Sequence, residues 1–149
     1  MADGPHSRNL RRGRYSQAGQ VYLLTMVCVD RTPAFADFRA ARCVVRAMHE
    51  PSIDSVGQTL AFVVMPDHVH WLVQLNEGAR LGEVVRRFKA RVSLQLGTSV
   101  WQRGFYDHAL RKVEDLVPVA RYVVANPVRA GLVPRVGDYP HWDAVWLDS

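Results

Sequence analysis

From residue 20 onward, apolar positions recur with two different periods, and the switches between them divide the chain into elements. Val21 to Val29 is dense in β-branched and aromatic residues and predicts a first strand. Ala41, Val44, Val45 and Met48 fall at helical spacing, which predicts a helix over Phe38 to His49, while Pro51 to Gly57 carries no period and is expected as a loop. Leu60 to Met65 and His68 to Leu75 are apolar runs joined only by Pro66-Asp67, the arrangement of an antiparallel hairpin. Leu81, Val84, Val85, Phe88, Val92 and Leu96 form one stripe of a helix over Leu81 to Leu96, with Gly97 as its stop. Val100 to Arg111 alternates loosely and predicts a fourth strand. Glu114 to Ala125 predicts a third helix, provided Pro118 falls in its first turn. Beyond Pro127 no period emerges, and an irregular tail bearing Tyr139, Trp142 and Trp146 is expected.

The order β-α-β-β-α-β followed by a further helix is an α+β, ferredoxin-like topology with an extra C-terminal helix. Residues 1–19 read as a flexible basic arm carrying Arg8, Arg11, Arg12 and Arg14, with an ordinary solvated tail as the plainer alternative. Residues 20–149 then make one domain, since 149 residues allow one sizeable core and not two.

Charge changes the picture more than length does. The net charge of +5 is carried almost wholly by arginine, because Lys89 and Lys112 are the only lysines. The planar guanidinium suits phosphate better than an ammonium does, so nucleic acid leads among partner classes. Cys28 and Cys43 lack C-x-x-C spacing and read as reduced thiols of a cytoplasmic protein. The early arginines, the apolar run and Ala34-Phe35-Ala36 mimic a secretory signal, but Thr25 interrupts the run and Asp30-Arg31 separates it from the supposed cleavage site. No segment reaches the ~20 apolar residues of a membrane-spanning helix.

Within the third strand, His68 and His70 are two residues apart, so both imidazoles project from one face and could form half of a divalent-metal site. A lone His-x-His is more often just a half-exposed strand. Asp67 beside them reads first as a turn residue. Tyr122 and Asn126 are four apart and share a face of a continuous helix, offering a nucleophile and an amide oxygen; a surface tyrosine is the commoner reading. Asn126 precedes Pro127, which biases it away from helical angles. Arg86, Arg87 and Arg91 on the second helix, with the arm, could follow a phosphate backbone. Trp101, Phe105 and Tyr106 flank Arg103 as in single-strand binders that stack bases, although a core could claim two of the three. His108 could orient a phosphate or simply lie on the sheet surface.

Three segments together carry more information than any of these alone: Val64-Met65-Pro66-Asp67-His68-Val69-His70-Trp71-Leu72-Val73, Trp101-Gln102-Arg103-Gly104-Phe105-Tyr106-Asp107-His108-Ala109-Leu110-Arg111, and Ala120-Arg121-Tyr122-Val123-Val124-Ala125-Asn126-Pro127-Val128-Arg129-Ala130-Gly131-Leu132-Val133. In this order and spacing they resemble the REP-associated tyrosine transposases, a branch of the single-tyrosine HUH transposases. The resemblance implies a ferredoxin-like fold and a metal-dependent endonuclease acting on single-stranded DNA at hairpins. It also implies that His68, His70 and Asn126 hold Mg²⁺ or Mn²⁺, that Tyr122 is the nucleophile of a 5′-phosphotyrosine intermediate, and that Pro127 belongs to the motif.

The expectation is therefore a strand-transferring nuclease of single-stranded or hairpin DNA, monomeric or homodimeric, with no membrane partner. The alternative is a regulatory protein that binds DNA hairpins without cutting them. A hydrolase of small phosphoesters would have no use for the arginine-rich arm.

Overall fold

The computed structural model describes residues 19–145. Five strands form one antiparallel sheet: β1 (Val21–Val27), β2 (Gly57–Met65), β3 (His68–Leu75), β4 (Tyr106–Ala109) and β5 (Trp142–Ala144), in the order β4-β1-β3-β2-β5. Without β5, the order β4-β1-β3-β2 is the expected ferredoxin-like arrangement. β1 and β2 run parallel with β3 between them, and β3 and β4 run parallel with β1 between them. Two such crossovers of the same hand put their helices on one face of the sheet. These are α1 (Phe38–Met48) and α3 (Leu81–Leu96). The helix α3 and the strand β3 have the boundaries that hydrophobic spacing predicts, because each buries one unbroken stripe.

The main core lies between α1, α3 and the sheet, where Trp71 packs on Phe88 with ring centroids 4.8 Å apart. Gly57 opens β2 within this core. A methyl group there would lie 2.9 Å from Val73 Cγ2 and 3.4 Å from Val84 Cγ2, so glycine is needed for close approach rather than for a turn.

Among the described residues the opposite face is covered over only part of its width. Here α4 (Leu116–Val124) buries Ala120, Val123 and Val124 against Ala61, Val63, Met65 and Leu72. It rests on β2, with β3 and β5 at its margins.

Several elements depart from the pattern in the sequence. The expected loop 51–57 holds a short helix, α2 (Pro51–Asp54), with Pro51 at its first position where a missing N–H costs nothing. The fourth strand is confined to Tyr106–Ala109. Gly104 has φ 83°, which breaks the extended run, and Trp101 makes only a single bridge to Cys28. The third helix begins at Leu116, after a 3₁₀ turn over Val113–Asp115, and Pro118 does fall in its first turn. The tail contributes β5, whose three residues follow the register of β2 (Val63 to Trp142, Ala61 to Ala144) and have no alternation of their own to betray them.

A histidine pair beside a tyrosine helix

His68 and His70 open β3 and point to the α4 face, with Val69 and Trp71 turned into the core behind them. Their ring centroids are 4.8 Å apart, edge to face. Each ring is held by its Nδ1. Nδ1 of His68 donates to the Asp67 carboxylate at 2.7 Å, and Nδ1 of His70 meets the Thr25 hydroxyl at 2.9 Å across β1. Both contacts engage Nδ1 and leave Nε2 as the outward nitrogen of each ring, the arrangement by which outer partners orient metal-binding imidazoles. Asp67 is thus a turn residue and an orienting partner at once.

Burial, with the positive neighbours His68, Arg129 and Arg31, pushes His70 down from 6.5 to about 3. The ring is therefore neutral at physiological pH, as a ligand must be. Burial raises the Asp67 carboxyl, but the hydrogen bond from His68 and the charges of His68 and Arg31 outweigh it, and the net direction is down.

Arg31 reaches Asp67 Oδ2 at 3.4 Å from the 3₁₀ turn Val29–Arg31. Asp30 and Arg31 both have left-handed backbone, at φ 55° and 56°, a costly conformation for arginine that needs fixed surroundings to persist.

Tyr122 lies on α4 and is 57% exposed. After Val124 the chain turns at Ala125 into a one-turn helix, α5 (Asn126–Arg129), in which Pro127 occupies an N-terminal position. Helical direction survives the break, since Ala125 N–H bonds Arg121 and Arg129 N–H bonds Ala125. Tyr122 and Arg129 are therefore two turns apart on nearly one face, and the guanidinium carbon stands 3.9 Å from the centroid of the phenol ring. The positive charge of Arg129 also helps to hold His70 down, and the histidines point to the sheet face that α4 covers. Asn126 opens α5 half-buried, between Tyr122 and Arg129 in sequence.

A family model described as "Transposase IS200 like" matches residues 20–126 of the chain, from the start of β1 to Asn126. The chain belongs to the IS200-like transposase family. It is 29% identical over 144 residues to a putative REP-associated tyrosine transposase of Haemophilus influenzae, covering 83% of this chain and 78% of that one. It is 34% identical over 85 residues to the REP-associated tyrosine transposase of Escherichia coli, covering 54% of this chain and half of that relative's length. Among solved structures, a REP-associated tyrosine transposase bound to a REP hairpin superposes with a TM-score of 0.70 at 26% identity, over 87% of this chain and 79% of that one. A putative transposase from Deinococcus radiodurans, 16% identical, shares the fold with a TM-score of 0.55, over 74% of this chain and 93% of that one.

Among the described residues of this family member the other basic candidates are dispersed. Arg8, Arg11, Arg12 and Arg14 lie outside the described residues. The helix α3 packs on the face opposite the histidines, and there Arg87 pairs with Glu83 at 2.7 Å and Arg91 with Glu50 at 3.1 Å. Arg86 is exposed on the same helix, and Arg103 is exposed in the loop before β4. Of the three aromatics, Trp101 and Phe105 pack against the core and Tyr106 remains outside. His108 is exposed on β4.

Three contributors to the site carry little signal in the sequence. Thr25 was visible only as a lone hydroxyl inside an apolar strand. Arg129 has helical spacing from Tyr122, which is a usable signal. Arg31 depends on a left-handed turn that no local pattern announces.

Among the described residues, no three His, Cys, Asp or Glu side chains converge as a metal cage. As donor types, two imidazole nitrogens and an amide oxygen suit Mg²⁺ or Mn²⁺, which keep open positions for water and phosphate oxygens.

Proposed function

We propose that the chain is a metal-dependent endonuclease and strand transferase of single-stranded DNA, acting in the cytoplasm at hairpins or palindromic repeats through a 5′-phosphotyrosine intermediate. The observation that carries this reading is a pair of Nδ1-anchored imidazoles on the sheet face that the Tyr122 helix covers, with a guanidinium over the tyrosine ring. The relative bound to a REP hairpin supports DNA hairpins as the substrate class.

His68 and His70, with Asn126, would hold Mg²⁺ or Mn²⁺, which when bound supplies Lewis-acid polarisation of the scissile phosphate. Arg31 and Arg129, whose charges act on His70, would supply positive charge where phosphate oxygens gain negative character. Tyr122 Oη loses its proton and attacks phosphorus. The bond from phosphorus to the 3′ oxygen breaks, and that oxygen leaves with the electron pair and takes up a proton. The phosphotyrosine conserves the phosphodiester's energy, so a second 3′-hydroxyl can reverse the step.

End-labelled DNA hairpins with single-stranded flanks, taken from the repeats beside the chain's own gene, test this with Mn²⁺ or with chelator. Metal-dependent nicking in the flanks, absent from a fully paired duplex of the same sequence, is the expected result. Equal cutting of the duplex contradicts the single-strand specificity. Salt-sensitive binding with no cleavage would favour a non-cleaving hairpin-binding regulator.

A further inference from the structure

The register of the sheet draws a line from the histidine pair to an open surface. Tyr106 on β4 pairs with Thr25 on β1, Thr25 pairs with His70 on β3, and His70 pairs with Val63 on β2. Directly paired residues project from the same face, so Tyr106, Thr25 and His70 stand in one row on the α4 side. Two strand spacings separate Tyr106 from His70, roughly 10 Å.

Among the described residues only part of that face is covered. The helix α4 lies over β2 and the margins of β3 and β5. Beside it Leu23 and Thr25 are half-buried, and Tyr106 and His108 are exposed. Within the same segment, Trp101 is tied to Phe35 and Phe88 with ring centroids 5.3 and 5.7 Å away, and Phe105 is buried. Tyr106, 37% exposed, has no hydrogen bond or ring partner among the described residues. Arg103 is exposed three residues before it, and Arg31 and Arg129 act on His70 at the other end of the row.

We infer that Tyr106 is a stacking platform for a base of single-stranded DNA next to the phosphate held at the histidines. The inference rests on the nuclease reading for the polarity of the site. Its chemistry is separate: a phenol ring on a rigid strand offers a π-face to any base, while the flanking arginines take the phosphates. A paired base cannot present its face in this way, so the platform selects unpaired strands.

Equilibrium affinity, measured in chelator by anisotropy at low salt, separates stacking from cleavage. The probes are a labelled 15-mer of deoxythymidine and an abasic 15-mer of equal charge. Tyr106→Ala is expected to weaken binding of the thymidine strand at least fivefold and to leave binding of the abasic strand unchanged, while Tyr106→Phe binds both as wild type does. Equal affinity of Tyr106→Ala and wild type overturns the inference, as does equal weakening by Phe and Ala, which would mean a hydroxyl contact. A lowered melting temperature with unchanged affinity would show that the ring packs against the chain itself, and overturns it too. So does failure of wild type to bind the thymidine strand. None of these results bears on adduct formation at Tyr122, so the nuclease reading can fail or survive independently.

Discussion

The Thr25 hydroxyl lies 2.9 Å from Nδ1 of His70, spanning two neighbouring strands whose register places the residues directly opposite each other. The sheet itself thus aims an imidazole. A histidine whose Nδ1 is fixed from behind has one ring rotation open to it, and its Nε2 is directed away from the core. Asp67 does the same for His68 from within the β2–β3 turn. Orientation of both rings is set before any ligand arrives.

Removing these outer contacts should weaken metal binding while the fold survives. Thr25→Val and Asp67→Asn are each expected to lower Mn²⁺ affinity by roughly 10- to 100-fold, measured by titration calorimetry or by Mn²⁺ paramagnetic resonance. Unchanged affinity in both variants would mean that the histidines are not the ligands.

Arg129 stands over the ring of Tyr122, the proposed nucleophile. Its guanidinium, 3.9 Å from the ring centroid of Tyr122, brings positive charge to where an attacked phosphate would lie. Arg129→Ala should slow tyrosine-dependent cleavage by about tenfold or more at saturating DNA, with Arg129→Lys recovering part of the rate. A change confined to DNA affinity would reduce Arg129 to a backbone contact.

Acid should destabilise the protein through two buried imidazoles. Burial and neighbouring positive charge hold His70 down to about 3, and burial with Arg42 holds His141 below its usual value. Above the ordinary imidazole value of 6.5, folded and unfolded chains bind no extra proton at these sites. Below it the unfolded chain takes up protons that the folded chain refuses, so stability is present at neutral pH and is lost as pH falls from 6.5 towards about 3. Thermal melts in chelator between pH 7.5 and pH 4 should show the fall. His141→Gln should make it shallower if the fold is retained.

Gly57 is a packing test. Gly57→Ala adds a methyl 2.9 Å from Val73, a β-branched side chain with little freedom to move aside, and should cost ~1–3 kcal/mol in denaturant unfolding. A neutral result would mean that β2 and α3 yield more readily than their packing suggests.

The legible parts of the chain were those where periodicity and burial coincide. Strand β3 and helix α3 each bury a single continuous stripe, so their limits are written in residue spacing. The His-x-His pair could be placed on one face by the two-residue period alone. What escaped was imposed from outside the segment concerned. β5 is a strand only because β2 offers an unpaired edge, and α2 forms where a proline happens to suit a first turn. In the site, Thr25 acquires its meaning from strand pairing, and Arg31 from a left-handed turn that the surrounding structure holds in place. The aromatic-arginine segment was legible in composition but not in orientation. Only the sheet register separates Tyr106, on the surface, from Trp101 and Phe105 in the core.

The most direct test of the central claim is a covalent-adduct assay. Protein and its Tyr122→Phe variant are incubated with labelled hairpin DNA bearing single-stranded flanks, with Mn²⁺ or with chelator, and resolved under denaturing conditions. A metal-dependent shifted band from the native chain, absent from a Tyr122→Phe variant that still binds the DNA, is the expected result. Cleavage retained by Tyr122→Phe, or a native chain that nicks the DNA without ever becoming attached to it, would contradict the phosphotyrosine mechanism.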